Sequence, residues 1–236
     1  MIKYAHSDEA WRNFKNIVLR NIQKCSGRDI CDIGGGANPL LSTSDVDVNG
    51  VRYSLLDISQ TELDKAVCNG TKIRADICDQ TPVVKNEYDL VFSNMLAEHV
   101  ADPKAFHRNV FAMLKPGGLA IHFFPTMYAP PFLVNRLVPE TVAGAILDRL
   151  APRDRYQKDK FPAYYRWCRG PSTSQLNRLR SVGFNIVEYN AYFGHKGYYT
   201  RVKPLLAMHE KLVSMLIKHP VPSLTSFSII VLQKPH

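Results

Sequence analysis

The 236-residue chain has only five cysteines, at positions 25, 31, 68, 78 and 168, and no C-x-x-C pair among them. An odd, scattered set excludes a disulfide framework and a thiolate zinc site; it reads as reduced, mostly buried thiols. No uninterrupted apolar run is long enough to span a bilayer. The opening residues, Met1 to Glu9, lack the apolar stretch of a signal peptide. These absences together set the expectation of a cytoplasmic protein. No repeat and no low-complexity tract interrupts the ordinary globular composition, and the length suffices to bury a sizeable core. Acidic residues are scarce in the second half: residues 126–236 hold 16 Lys and Arg against 6 Asp and Glu, while residues 1–125 hold 14 against 15. The basic excess suits an anionic substrate, a membrane surface or nucleic acid, and equally a solvated surface with no partner.

What is present is organised around residues 28–39. A short apolar strand, Ile30 to Ile33, runs directly into Gly34-Gly35-Gly36-Ala37-Asn38-Pro39, with Asp32 just before the turn. Glycines there let the backbone take positive φ and approach a ligand closely. In an open α/β sheet such a turn, at the carboxyl end of the first strand, is where nucleotide-like ligands bind. A phosphate-cradling P-loop requires a Gly-Lys-Ser/Thr ending, and no lysine follows. A dinucleotide fingerprint requires a third glycine where Pro39 stands. A glycine-rich turn without any ligand is the plain alternative. The pattern resembles motif I of class I S-adenosylmethionine-dependent methyltransferases, an acid followed by alternating glycines, at Asp32, Gly34, Gly36 and Asn38. Asn38 departs from glycine but is among the residues that tolerate the left-handed region.

Later segments extend the resemblance in order. Val51 to Asp57 reads as a second strand ending in a carboxylate about twenty residues beyond the turn, placed to accept both ribose hydroxyls of an adenosine. Ile58 beside it suits an adenine face. Lys72 to Asp79 reads as a third strand; by resemblance, Asp76 would bond the adenine amino group with Ile77 alongside, the plain alternative being a carboxylate that caps a turn. Glu87 to Asn94 is the clearest strand, and Ser93 and Asn94 at its end are cofactor-side candidates. The continuation Met95-Leu96-Ala97-Glu98-His99, and Leu114-Lys115-Pro116-Gly117-Gly118 before the strand Leu119 to Phe124, resemble the ubiquinone- and menaquinone-biosynthesis-like methyltransferases. The resemblance covers residues 28–125. It implies a Rossmann-like seven-stranded sheet, mostly parallel with the last strand antiparallel, helices on both faces, and S-adenosylmethionine as cofactor. The whole chain then reads as one domain with substrate-cap insertions at about 126–171 and 194–222.

Elsewhere, apolar spacing predicts a helix over 7–25 capped by Ser7 or Asp8, with Trp11 in core packing, and a polar loop over 40–50. It also predicts helices over 59–69 with Gly70 as its stop, 103–114, about 139–150 with Pro139 at its first position, 172–181 and about 204–218, and strands over 184–193 and 226–232.

Methyl transfer from a sulfonium is an in-line displacement, so the protein must hold the acceptor in line and, for an alcohol, remove its proton. The strand end Ser93-Asn94-Met95-Leu96 lacks the Asn/Asp-Pro-Pro-aromatic of enzymes that methylate base amino groups. Glu98-His99 offers an imidazole that can act as a base near neutral pH; His122 in the next strand is a second candidate, also readable as a buried, hydrogen-bonded strand residue. His195 and His6 are weaker ones. In some quinone-pathway relatives a further glutamate completes a divalent-ion site with the Glu-His pair, but Met95 stands in its place, so no metal is assigned. Tyr128, Tyr164, Tyr165, Trp167, Arg169, His195 and Tyr198, with Phe161, Tyr192 and Tyr199 nearby, are the substrate-reading candidates or a small core of the cap. The reading is O-methylation of a hydroxyl on a small molecule or glycan, anionic in one version. The alternatives are RNA methylation, served by the basic half; a cofactor-binding partner subunit without catalysis; and a lipid or quinone acceptor under an apolar lid.

Overall fold

A computed structural model describes residues 1–81, 84–127, 162–198, 200 and 202–236. Eight strands form one sheet: β1 (Ile2–His6), β2 (Asp29–Ile33), β3 (Arg52–Asp57), β4 (Thr71–Arg74), β5 (Tyr88–Asn94), β6 (Leu114–Pro125), β7 (Asn185–Phe193) and β8 (Phe227–Gln233). Their order is β1-β7-β8-β6-β5-β2-β3-β4. All pairings are parallel except those of β8, which runs antiparallel between β6 and β7. Seven strands therefore end at the same edge of the sheet, and β8 begins there. The strand order reverses between β2 and β5, the switch point beside which α/β proteins place ligands.

The period-2 alternation of the strands splits the core into two layers. On one face Ile30, Tyr53, Leu55, Leu90, Phe92, Ile121, Phe123 and Ile229 meet α1 (Ala10–Lys24), α2 (Thr43–Asn49) and α3 (Gln60–Lys65). On the other, Cys31, Ile33, Val91, Ala120, Phe124, Tyr189 and Ile230 meet α4 (Pro103–Met113) and α5 (Thr173–Val182). Helix α6 (Lys203–Lys218) seats Val213 and Leu216 on Phe193 and Tyr4 at the β1–β7 edge.

The helices over 103–114, 172–181 and 204–218 and the strands over 184–193 and 226–232 match their expectations to within a residue or two at each end. Several other expectations are corrected. The sheet has eight strands rather than seven, because Ile2–His6 adds an edge strand in register with Tyr189–Phe193. The leading helix starts at Ala10 after a 3₁₀ turn over Ser7–Glu9, and neither Ser7 nor Asp8 caps it: the His6 side chain accepts the Asp8 N–H, and α1 has Glu9 at its N-cap without a side-chain bond. The polar stretch 40–50 contains α2, built by a reciprocal capping box between Ser42 and Asp45 that a reading of apolar spacing overlooks. Helix α3 stops at Lys65, well before Gly70, whose missing Cβ instead admits the Tyr53 carbonyl. The third expected strand is only Thr71–Arg74, so Asp76 lies in a turn. Lys115 to Gly118 is taken up within β6 as an irregularity between the Tyr88 and Leu90 registers. The helix expected at 139–150 lies outside the described residues. All five cysteines are free thiols, and among the described residues no helix is long and apolar enough to cross a membrane.

Candidate active site at the carboxyl edge of the sheet

The glycine turn follows β2 as the sequence requires. Gly34 and Gly36 have φ of 75° and 39°, which only glycine adopts without strain. A Cβ on Gly36 would stand 3.0 Å from Asp57 Oδ2, and one on Gly34 2.9 Å from Leu96. The turn is thus pressed between the ends of β3 and β5. Asp57 Oδ1 accepts the Ser59 N–H at 2.9 Å; Oδ2 faces the glycine turn. Asp76 closes its own turn by accepting the Cys78 N–H at 2.8 Å, which is the turn-capping role, and Ile77 beside it is buried. Ile58 is 51% exposed at the same edge. Asn38 donates its N–H to the Gly35 carbonyl; its φ is not positive, so the left-handed tolerance invoked for it is not used.

Asp32 is buried beneath this turn. Its Oδ2 accepts the Tyr53 hydroxyl at 2.7 Å and the Leu40 N–H at 3.1 Å. A Cβ on Gly35 would strike its carboxyl group at 2.9 Å. Burial pushes its pKa up to about 6, against the lowering effect of those two hydrogen bonds, with the charge of Asp57 adding to the rise. In this structure Asp32 braces the loop from below, through a tyrosine that the sequence reading did not single out.

At the end of β5, Met95 takes a φ of 51° and donates its N–H to the Phe123 carbonyl at 2.8 Å. A non-glycine residue held in that region is a strained position of the kind that clusters at functional sites. Ser93 is fully buried, its hydroxyl 2.8 Å from His122 Nδ1, and Asn94 Oδ1 is buried without a partner. His122 lies on the α4 face of the sheet, packed against Phe106 and the ring of His107. Burial drives both histidines strongly toward the neutral form, His107 to about 3. His99 sits on the 3₁₀ turn after β5 with Nδ1 3.1 Å from the Pro162 carbonyl and Nε2 3.9 Å from Glu98 Oε1. Glu98 is 4% exposed, and burial pushes its carboxyl up to about 8. Its carbonyl accepts the N–H groups of Tyr164 and Tyr165 at 2.7 and 3.0 Å, tying the chain at these residues to the β5 turn.

Comparison with known proteins agrees with this geometry. Residues 31–122 match the family described as "Methyltransferase domain". The chain carries a class I S-adenosylmethionine-dependent methyltransferase domain. It is 28% identical over 172 residues to a ubiquinone biosynthesis O-methyltransferase of Bordetella bronchiseptica, covering 70% of this chain and 67% of that protein. It is 32% identical over 90 residues to phosphoethanolamine N-methyltransferase 1 of Triticum aestivum, covering 37% of this chain but only 18% of the wheat protein. Phosphoethanolamine N-methyltransferase 2 of Haemonchus contortus, solved with S-adenosyl-L-methionine, shares the fold at a TM-score of 0.58 and 14% identity, over 95% of this chain and 53% of the other.

The methyltransferase domain offers a fitting cradle for that cofactor. The turn at Gly34 and Gly36 has no room for side chains, a carboxylate faces it from β3, and an orphaned amide oxygen, Asn94 Oδ1, lies at the β5 end. Gly34, Gly36, Asp57 and Ile58 share one side of the switch point, with Asp76 and Ile77 beyond. The remaining candidates are spread over the other side. Tyr164 is partly exposed, with Arg166 5.7 Å above its ring. Tyr165 and Trp167 adopt positive φ, at 50° and 59°, and Trp167 stacks on His107 at 5.7 Å. Arg169 donates to the Tyr165 and Cys168 carbonyls, a bracing role within the segment. His195 donates its backbone N–H to His209 Nε2 at 3.1 Å while its ring lies on Phe227. His6 pairs with Glu210 at 3.0 Å on the β1–α6 edge. Tyr128, Phe161, Tyr199 and the side chain of Tyr198 lie outside the described residues. Among the described residues no group of three His, Cys, Asp or Glu side chains is arranged to hold a metal ion.

Proposed function

We propose that this domain transfers a methyl group from S-adenosylmethionine to a hydroxyl of a small molecule or glycan. The observation that carries the reading is that a Cβ on Gly36 would stand 3.0 Å from Asp57 Oδ2, so that a carboxylate able to accept from a diol faces the bare backbone of the turn. Gly34, Gly36, Asp57, Ile58, Asp76 and Ile77 would hold the cofactor, with Asp32 fixing the turn from beneath and Asn94 closing its β5 side; Ser93, fully buried on His122, lies behind that wall and does not line it. When bound, the cofactor supplies an electrophilic methyl on a sulfonium and takes back the C–S electron pair as a thioether. His99 is the assigned base. Its Nδ1 faces a carbonyl, which can only accept, so Nδ1 carries the proton and the lone pair resides on Nε2. Nε2 takes the acceptor's proton as the acceptor oxygen bonds to the methyl carbon. His122, tied to Ser93 inside the α4 layer, serves this reading less directly. The name of the Bordetella relative supports a hydroxyl acceptor.

Calorimetry with S-adenosylhomocysteine tests the reading. The wild type is expected to bind it, and Asp57→Ala to weaken it by roughly ten- to a hundredfold, the loss of hydrogen bonds to a charged group. Absence of binding to the wild type would overturn the methyltransferase reading. The basic second half would then be the place to look, beginning with a salt-dependent affinity for RNA.

A further inference from the structure

Asn109 has no part in the chemistry above, yet it is a costly residue where it stands. It lies in the interior of α4, is 2% exposed, and belongs to a residue type that weakens helices. A buried amide is tolerated where its hydrogen bonds offset the loss of water. Both Asn109 donor hydrogens are used: Nδ2 reaches the Ile77 carbonyl at 2.8 Å and the Asp79 carbonyl at 2.7 Å. Its Oδ1 is buried with no partner, so the amide is held there by its donors alone.

The two carbonyls flank the turn that carries Asp76. Local structure fixes that turn only in part. β4 is a four-residue edge strand, paired among the described residues with β3 only. Ala75 still donates to the Asp57 carbonyl at 3.0 Å, and the chain then leaves the sheet beside the acid at the end of β3. Asp76 closes the turn on itself, taking the Cys78 N–H on Oδ1 and the Asp79 N–H on its carbonyl. Such bonds set the shape of the turn but not its direction. The direction is set from α4, by Asn109 at a separation of 32 residues and by Cys78 Sγ, 3.8 Å from the Asp102 carbonyl. Ile77 packs in the same core layer as Phe106 and Val110 of that helix.

We propose that Asn109 is the positioning residue for recognition of the adenine amino group. Through the two carbonyls it aims Asp76 at the 6-amino edge, and it thereby sets the preference for an adenosyl cofactor over a 6-oxopurine one. This rests on the assignment of Asp76 to the cofactor made above. A carboxylate accepts from a 6-amino group, whereas a 6-oxo group offers it only another acceptor. The tie needs one atom with two hydrogens between two carbonyls, which asparagine supplies and neither aspartate nor leucine of similar shape can.

Calorimetry on the full chain tests this by comparing S-adenosylhomocysteine with S-inosylhomocysteine, which carries 6-oxo in place of 6-amino. The wild type is expected to favour the adenosyl compound by roughly a hundredfold, and Asp76→Ala to remove the preference. Asn109→Leu should weaken the adenosyl compound about tenfold and leave the inosyl compound within about twofold, so that the preference shrinks. Asn109→Ala, which leaves room for water at the carbonyls, should give the same shift with a smaller fall in melting temperature. Asn109→Gln, which keeps both donors, should recover part of the preference. Adding Asn109→Leu to Asp76→Ala should change neither affinity further. A merely structural role would lower the melting temperature and move both ligands alike. An undiminished preference in Asn109→Leu, or in Asn109→Ala where the leucine variant does not fold, overturns the proposal, as does an equal loss for both ligands. A wild type without preference, or a preference that survives Asp76→Ala, removes the assignment of Asp76 on which the proposal rests. Failure of S-adenosylhomocysteine to bind the wild type removes the cofactor reading instead.

Discussion

At the β2–β4 side of the carboxyl edge lie glycine backbone, turn amides and short carboxylates. At the β6–β8 side lie aromatic rings, of which Phe123 and Phe227 are buried. The first side is made by neighbours in sequence: Gly36 meets Asp57 across one strand pair, and Asp57 and Asp76 each close a turn with a residue two positions on. The second is made by residues far apart: Trp11, Phe123, His195 and Phe227 meet only because β8 inserts between β6 and β7 while β1 docks beside β7. Backbone cradles suit a ligand whose phosphate-free ribose and adenine do not change. Side-chain walls suit a ligand that differs from one relative to the next, since a ring can be exchanged without disturbing a turn.

Variants can break this comparison. The largest effect expected is on turnover. His99→Ala should lower kcat for a hydroxyl acceptor by roughly a hundred- to ten-thousandfold, the usual worth of a general base, with S-adenosylhomocysteine affinity intact; an unchanged kcat would remove His99 from the chemistry. Next is the packing of the acceptor side. A Cβ on Gly170 collides with the Pro222 carbonyl and approaches Thr225 Oγ1, so Gly170→Ala should destabilise the fold by about 3 kcal/mol in denaturant titrations and spare cofactor affinity in the folded fraction.

A pH scan then isolates the acid between the two sides. Glu98 has its carboxyl raised from 4.5 to about 8 by burial, so its contribution to stability is complete below about pH 4.5 and is lost as pH rises through 8. The buried His107 and His122 are shifted downward, and their contributions are already complete above pH 6.5. Between pH 6.5 and 8 the wild type should therefore lose up to roughly 2 kcal/mol, and Glu98→Gln should flatten that slope. A slope that persists in the variant would assign it elsewhere. Smallest in energy is Gly36→Ala, which adds a side chain at a φ of 39° against Asp57. It should weaken S-adenosylhomocysteine about tenfold while moving the melting temperature by only a few degrees. An unaltered affinity would mean that the cradle does not touch the ligand.

What was legible follows the same division. The glycine turn, the acid at the end of β3 and the strand β5 rest on local patterns, and each formed; the antiparallel direction of the last strand came from the family resemblance, and it too is present. Helix α2 escaped because its signal is the Ser42–Asp45 capping box rather than an apolar stripe. The edge strand β1 escaped because five residues beside a helix carry too little alternation to announce a sheet. Asp32 was readable as an acid before the turn, but its partner Tyr53 was not, since that hydrogen bond depends on the parallel register of β2 with β3.

The sequence by itself determined that the chain makes a parallel α/β sheet with a glycine turn and a spaced carboxylate, because those features are set by φ preferences, by strand periodicity and by contacts between consecutive elements. The tertiary structure alone decided that Trp11 stands half-open on α1 instead of joining the core, that His122 is enclosed while His99 lies at the turn, and that Glu98 is buried. Each of these depends on which surfaces distant segments cover, and burial is a property of the packed molecule that no single stretch of chain encodes.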